Sequence, residues 1–85
     1  MVINYHKDFI KDSKRLTVPQ KEKLIQRLKL FGQEEFNPIL NNHSLKGKYL
    51  GYRSINIAGD VRALYKKNRT EVIFVALDSH SNLYG

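Results

Sequence analysis

Histidine, carboxylate, guanidinium and phenol side chains gather in the second half of this 85-residue chain. His43 opens the run His43-Ser44-Leu45-Lys46-Gly47. Arg53 follows Gly51-Tyr52, and Asp60 and Arg62 fall within Gly59-Asp60-Val61-Arg62. His80 and Tyr84 come close to the end. Phosphodiester cleavage in RNA needs little else. A base takes the proton of the ribose 2′-OH, an acid protonates the departing 5′ oxygen, and cations stabilise the charge that grows on phosphorus. Histidine suits the first two tasks because its unperturbed pKa lies near neutrality. Arginine suits the third because its fork matches phosphate oxygens and stays charged. A tyrosine or Phe74 can stack on an unpaired base. Each residue also has a plain structural use: His80 as a polar strand end, His43 as a loop cap, Asp60 as a turn residue, Tyr52 and Tyr65 as packing. Arg62, set among apolar strand neighbours, must reach water, a carboxylate or a ligand. The two histidines and Asp60 lie far apart without metal-type spacing, so no metal and no cofactor is expected.

Charge follows the same region. Residues 43–69 carry seven Lys and Arg against one acidic residue; residues 1–42 carry eight against five, and residues 70–85 none against two. The net charge of +7 is therefore concentrated in the middle of the chain, which favours nucleic acid, an acidic protein or both as partners. Lys46, Lys48, Lys66, Lys67 and Arg69 join Arg53 as candidate phosphate contacts, with salt-sensitive binding expected. Cysteine is absent, which excludes disulfides and thiolate chemistry. The length suits one domain, residues 1–85, with a single modest core. No stretch approaches the roughly 20 apolar residues of a membrane span. The first residues lack an apolar run with a cleavage site, so the cytoplasm is the expected location.

The elements that must position these side chains follow from patterning. Residues 2–5 alternate weakly and predict a first strand. Residues 7–15 predict a short helix, with His6 before it as a bystander. Thr17 and Gln20 form a capping box with Pro19 in the first turn. They start a second helix whose apolar stripe is Leu24, Ile25, Leu28 and Phe31 and whose C-terminal cap is Gly32. Residues 33–42 are a connector, and residues 43–51 a structured loop. Three strands follow, joined by turns at Gly59-Asp60 and at residues 67–70. A period of two puts Ile55, Ile57, Val61, Ala63, Tyr65, Ile73, Val75 and Leu77 under the helices. The opposite face then shows Ser54, Asn56, Arg62, Lys66, Phe74 and Asp78, with His80 at its end. The expected fold is α+β: an N-terminal strand and a two-helix antiparallel hairpin packed on one face of a small, mainly antiparallel sheet.

The pattern His43-Ser-Leu-Lys-Gly47, Gly51-Tyr52-Arg53, Gly59-Asp60-x-Arg62-x-x-Tyr65 and Ser79-His80-x-x-Leu83-Tyr84 resembles the RelE/ParE superfamily of bacterial and archaeal toxins, and within it the YafQ-like mRNA interferases. The resemblance spans the chain in length and element order; residues 43–84 are its specific part. It implies the toxin of a type II toxin-antitoxin system. Such a toxin is a ribosome-dependent endoribonuclease that cuts mRNA in the 30S A site without a metal. An acidic cognate antitoxin neutralises it in a hetero-oligomer. YafQ-like members use a histidine before the sheet, an aspartate at the hairpin turn, a histidine near the C-terminus and an aromatic residue beyond it. These match His43, Asp60, His80 and Tyr84. Where that pattern has a further histidine and an arginine, this chain has Asn56 and Ala76. Arg62 matches the strand arginine of RelE-type members and can supply the positive charge. On this reading His80 is the general acid, His43 and Asp60 both stand open as the base, Arg62 and Arg53 hold the scissile phosphate, and Tyr84 positions His80 or stacks on a base. Two alternatives are a ParE-like toxin that poisons gyrase, which the histidines count against, and a catalytically decayed module that still binds antitoxin or RNA.

Overall fold

Thr17 starts the longer helix as its sequence predicts. Its hydroxyl accepts from the Gln20 N–H, and the Gln20 side chain accepts from the Thr17 N–H, so two donors of the helix start are satisfied reciprocally. The computed structural model describes residues 1–79. The order is β1 (Val2–Tyr5), α1 (Lys7–Ser13), α2 (Val18–Gln33), a 3₁₀ turn (Pro38–Leu40), β2 (His43–Ser44), a second 3₁₀ turn (Gly47–Tyr49), β3 (Arg53–Ala58), β4 (Val61–Lys67) and β5 (Glu71–Ser79). The five strands form one sheet in the order β1-β5-β4-β3-β2. β1 runs parallel to β5, which the helical crossover permits, and every other pair is antiparallel.

The core lies between the helices and the sheet. Phe31, Leu40, Ile55, Ala63, Tyr65, Val72 and Phe74 are fully buried there, with Phe9, Leu24, Ile57, Val61 and Leu77 nearly so. Each large apolar side chain so buried contributes about 1.5–3 kcal/mol. Phe74 is the hub. Its ring centroid lies 5.9 Å from Tyr5, 5.5 Å from Phe9, 5.2 Å from Phe31 and 5.4 Å from Tyr65.

Strict alternation places Phe74 on the outer face and Ile73 and Val75 under the helices; the structure reverses this. Leu64 pairs with Ala76 and Tyr65 pairs with Phe74, leaving Val75 as the extra residue of a β-bulge. The bulge resets the phase of β5. Val72 and Phe74 point inward before it and Leu77 after it, while Val75 packs against Leu64 on the other face. Two helix expectations also change. Gly32 is not the cap: α2 runs to Gln33 with Glu34 as its cap residue, and Gly32 sits where an added Cβ would be 3.9 Å from Ile3. Ile25 leaves the buried stripe, because Leu24 and Phe31 face the core and Ile25 is 57% exposed. His6 is more than a bystander, since its Nδ1 accepts the Asp8 N–H and caps α1.

Candidate functional site

The sheet face turned away from the helices is organised by the register. His43 pairs with Ser54, Ser54 with Leu64, and Leu64 with Ala76, forming one row across four strands. The next row holds Asn56 opposite Arg62, and Arg62 opposite Asp78. Strands lie about 4.8 Å apart and rise about 3.3 Å per residue, so the Cα atoms of His43 and Arg62 are separated by about 12 Å. A phosphodiester fits between side chains of their length.

Each of these residues has a local anchor. The His43 Nδ1 lies 2.9 Å from the Asn41 carbonyl oxygen. A carbonyl only accepts, so Nδ1 carries a proton, and in the neutral ring Nε2 is the acceptor nitrogen. Asn41 holds that carbonyl from a left-handed conformation, φ 45°. Arg62 Nη1 donates to the Gly59 carbonyl at 2.9 Å and to its neighbour Val61 at 3.3 Å, which braces the hairpin turn. Its Nε and Nη2 make no hydrogen bond among the described residues. Gly59 adopts φ 54° in that turn, a conformation that favours glycine, and Asp60 beside it is exposed. Between His43 and Arg62 lie two buried acceptors without partners among the described residues, Ser54 Oγ and Asn56 Oδ1. Such groups cost about 1–3 kcal/mol each and are few in folded proteins.

Along the His43 row itself, at Leu64 and Ala76, the face is covered. Residues 45–52 fold over Leu64, Val75 and Ala76 and bury Leu45. Tyr49 and Tyr52 meet edge to face at 6.5 Å. Lys48 stands 5.2 Å above the Tyr49 ring and Lys66 5.7 Å above that of Tyr52. Aromatic faces interleaved with lysines suit stacked bases and their phosphates.

The remaining candidates lie elsewhere. Arg53 pairs with Tyr65 in the sheet and so points to the helix side, not toward His43. Its Nε donates to Asn42 Oδ1 at 2.7 Å, and its guanidinium lies 5.3 Å above Phe36. Lys67 shares that side and pairs with Glu35 at 2.6 Å. Arg53, Lys67, Lys46 and Ser44 line a cleft of about 420 Å³ at the β2 edge of the sheet. Arg69 lies in the exposed β4–β5 turn, at the opposite end of β4 from Asp60. His80 and Tyr84 lie outside the described residues. Among the described residues, no group of three or more His, Asp or Glu side chains is placed to hold a metal ion, and no helix is long and apolar enough to cross a membrane.

A second set, which patterning does not reveal, backs the site from below. Tyr65 donates to Glu35 Oε2 at 2.7 Å, and Asn42 Nδ2 donates to the Tyr65 oxygen at 2.7 Å and to the Glu35 carbonyl at 3.0 Å. Tyr65 looks like a packing residue in the sequence and Asn42 like a turn residue. The one available signal is an acidic pair, Glu34-Glu35, in a basic chain shortly before His43.

The helical hairpin on a β1-β5-β4-β3-β2 sheet matches the fold of YafQ and YoeB toxins. The YoeB/ParE toxin from Agrobacterium tumefaciens superposes with a TM-score of 0.78 at 19% identity, over 94% of this chain and 99% of that one. A copper-bound mutant toxin from Helicobacter pylori gives 0.71 at 30% identity over 99% of both chains. The Escherichia coli DinJ-YafQ complex gives 0.70 at 25% identity, over 98% of this chain and 97% of that one. No curated protein sequence matches. The sequence profile of the bacterial toxin of type II toxin-antitoxin systems, YafQ, matches residues 1–85, and the chain belongs to this YafQ toxin family.

Proposed function

We propose that this toxin is a ribosome-dependent endoribonuclease that cleaves mRNA in the 30S A site and is neutralised by an acidic antitoxin. The observation that carries the reading is the placement of His43 and Arg62 on one sheet face, with Nε2 as the acceptor nitrogen of the neutral His43 ring and with Arg62 Nε and Nη2 making no hydrogen bond among the described residues. His43 Nε2 takes the proton of the ribose 2′-OH. The 2′ oxygen bonds to phosphorus, the bond from phosphorus to the 5′ oxygen breaks, and His80 donates a proton to that oxygen. The products are a 2′,3′-cyclic phosphate and a 5′-hydroxyl end. Arg62 neutralises the charge on the phosphorane. Asp60 and Tyr84 serve the acid side, a role favoured by the end of β5 at Ser79, which pairs with Val61 beside Asp60. Lys48 and Lys66 with their tyrosines receive the flanking nucleotides, and Lys46, Arg53 and Arg69 receive phosphates further along the strand, while Lys67 is held by Glu35. The DinJ-YafQ complex and the +7 charge support the acidic antitoxin.

The test is induction of the wild type and of His43→Ala, His80→Ala and Arg62→Ala, with mapping of 5′-hydroxyl RNA ends. Codon-positioned ends with the wild type, lost in the histidine variants, are the expected result. Growth without new ends in the wild type removes the nuclease reading.

A further inference from the structure

His43 stands on a strand too short to hold it. β2 has two residues, His43 and Ser44, and it forms an edge of the sheet. The residue before it is fixed far more firmly. Asn42 makes three side-chain hydrogen bonds on the helix side of the sheet: to the Tyr65 phenol at 2.7 Å, to the Glu35 carbonyl at 3.0 Å and from Arg53 Nε at 2.7 Å. Their partners come from β4, the connector after α2 and β3. The partners are themselves held. Tyr65 is fully buried and donates to the Glu35 carboxylate, and Lys67 occupies the other carboxylate oxygen at 2.6 Å.

Asn42 is bonded through one peptide unit to Asn41, whose carbonyl accepts from His43 Nδ1. That carbonyl lies in the peptide plane whose nitrogen belongs to Asn42. Fixing Asn42 from below therefore fixes the acceptor that selects the His43 tautomer above. Asn42 and His43 alternate across the sheet, so Asn42 acts through His43 and not on RNA. We propose that Asn42, clamped by Tyr65, Glu35 and Arg53, is a positioning residue that sets the tautomer and orientation of His43. Its catalytic consequence rests on His43 being the base.

The test pairs ring-nitrogen NMR of His43 with single-turnover mRNA cleavage on programmed ribosomes, in the wild type, Asn42→Ala and Tyr65→Phe. The wild-type neutral ring is expected as a single Nδ1–H tautomer. Both variants are expected to show mixed tautomers. In both, the cleavage rate constant falls about 10- to 100-fold, the range of a misplacement near 1 Å, with little change in the half-saturating ribosome concentration. Tyr65→Phe preserves ring volume and decides alone if Asn42→Ala does not fold. A single Nδ1–H tautomer retained in the folded variants overturns the proposal, whatever the cleavage rate. If the wild type does not cleave, the base assignment fails, and the NMR spectra still decide whether Asn42 sets the His43 tautomer.

Discussion

The Tyr65 phenol donates to Glu35 Oε2 at 2.7 Å, joining residues thirty positions apart. This bond closes the connector after α2 onto β4. Burial, above all, pushes the Tyr65 phenol up to about 12, with the Glu35 carboxylate adding to the rise and the Asn42 bond opposing it. For Glu35, partial burial raises the carboxyl, but the hydrogen bonds from Lys67 and Tyr65 outweigh it and hold the group below its ordinary value of 4.5.

The raised phenol predicts an alkaline limb. The unfolded chain ionises Tyr65 near 10.0 and the folded chain near 12. Its contribution to stability is therefore complete below pH 10 and is lost as the pH rises toward 12. Urea midpoints across this range will fall more steeply in the wild type than in Tyr65→Phe. Parallel curves for the two proteins would refute the assignment.

The lowered carboxyl predicts an acid limb of opposite direction. The folded chain keeps Glu35 ionised below 4.5, so its contribution is present above that pH and disappears as the pH falls through the folded value. Glu35→Gln lacks this dependence. Wild type minus variant, measured by urea unfolding between pH 6 and pH 3, should shrink with acid; a constant difference would speak against it.

Phe74 and Ile73 test the β5 bulge directly. With Phe74 fully buried among four rings, Phe74→Ala should cost about 3–5 kcal/mol, a large share of a small domain's stability. Ile73→Ala, on the outer face, should cost about 1 kcal/mol. An uninterrupted strand would give the reverse order in chemical denaturation.

The helical hairpin and the strand order of the second half were legible because caps and periodicities are local: Thr17 and Gln20 satisfy each other three residues apart, and Gly59-Asp60 sits between two alternating runs. The bulge at Val75 was not legible. Its cause is the fit of Phe74 among Tyr5, Phe9, Phe31 and Tyr65, which come from four other elements. Of the candidate site, His43, Asp60 and Arg62 followed from residue type and turn chemistry. The roles of Arg53 and Lys67 did not follow, because their partners Asn42 and Glu35 are eleven and thirty-two residues away, and no local pattern records such a pairing.

Two adjacent lysines separate RNA contact from structural use. Lys66 is exposed over the Tyr52 ring on the His43 face, with no carboxylate partner among the described residues. Lys67 points to the other side and pairs with Glu35, whose side chain is only 10% exposed. Replacing Lys66 by Gln should weaken binding to single-stranded RNA and reduce the slope of log K against log salt by about 0.7, the release expected from one single-strand phosphate contact. Replacing Lys67 by Gln leaves Glu35 short of a donor, so its first effect is on stability, with a lower urea midpoint and a smaller change in slope. The measurement is RNA affinity from 50 to 300 mM salt beside urea unfolding of both variants. Equal slopes for Lys66→Gln and wild type would remove Lys66 from the RNA path, and an unchanged midpoint for Lys67→Gln would show that its pair with Glu35 carries no net stability.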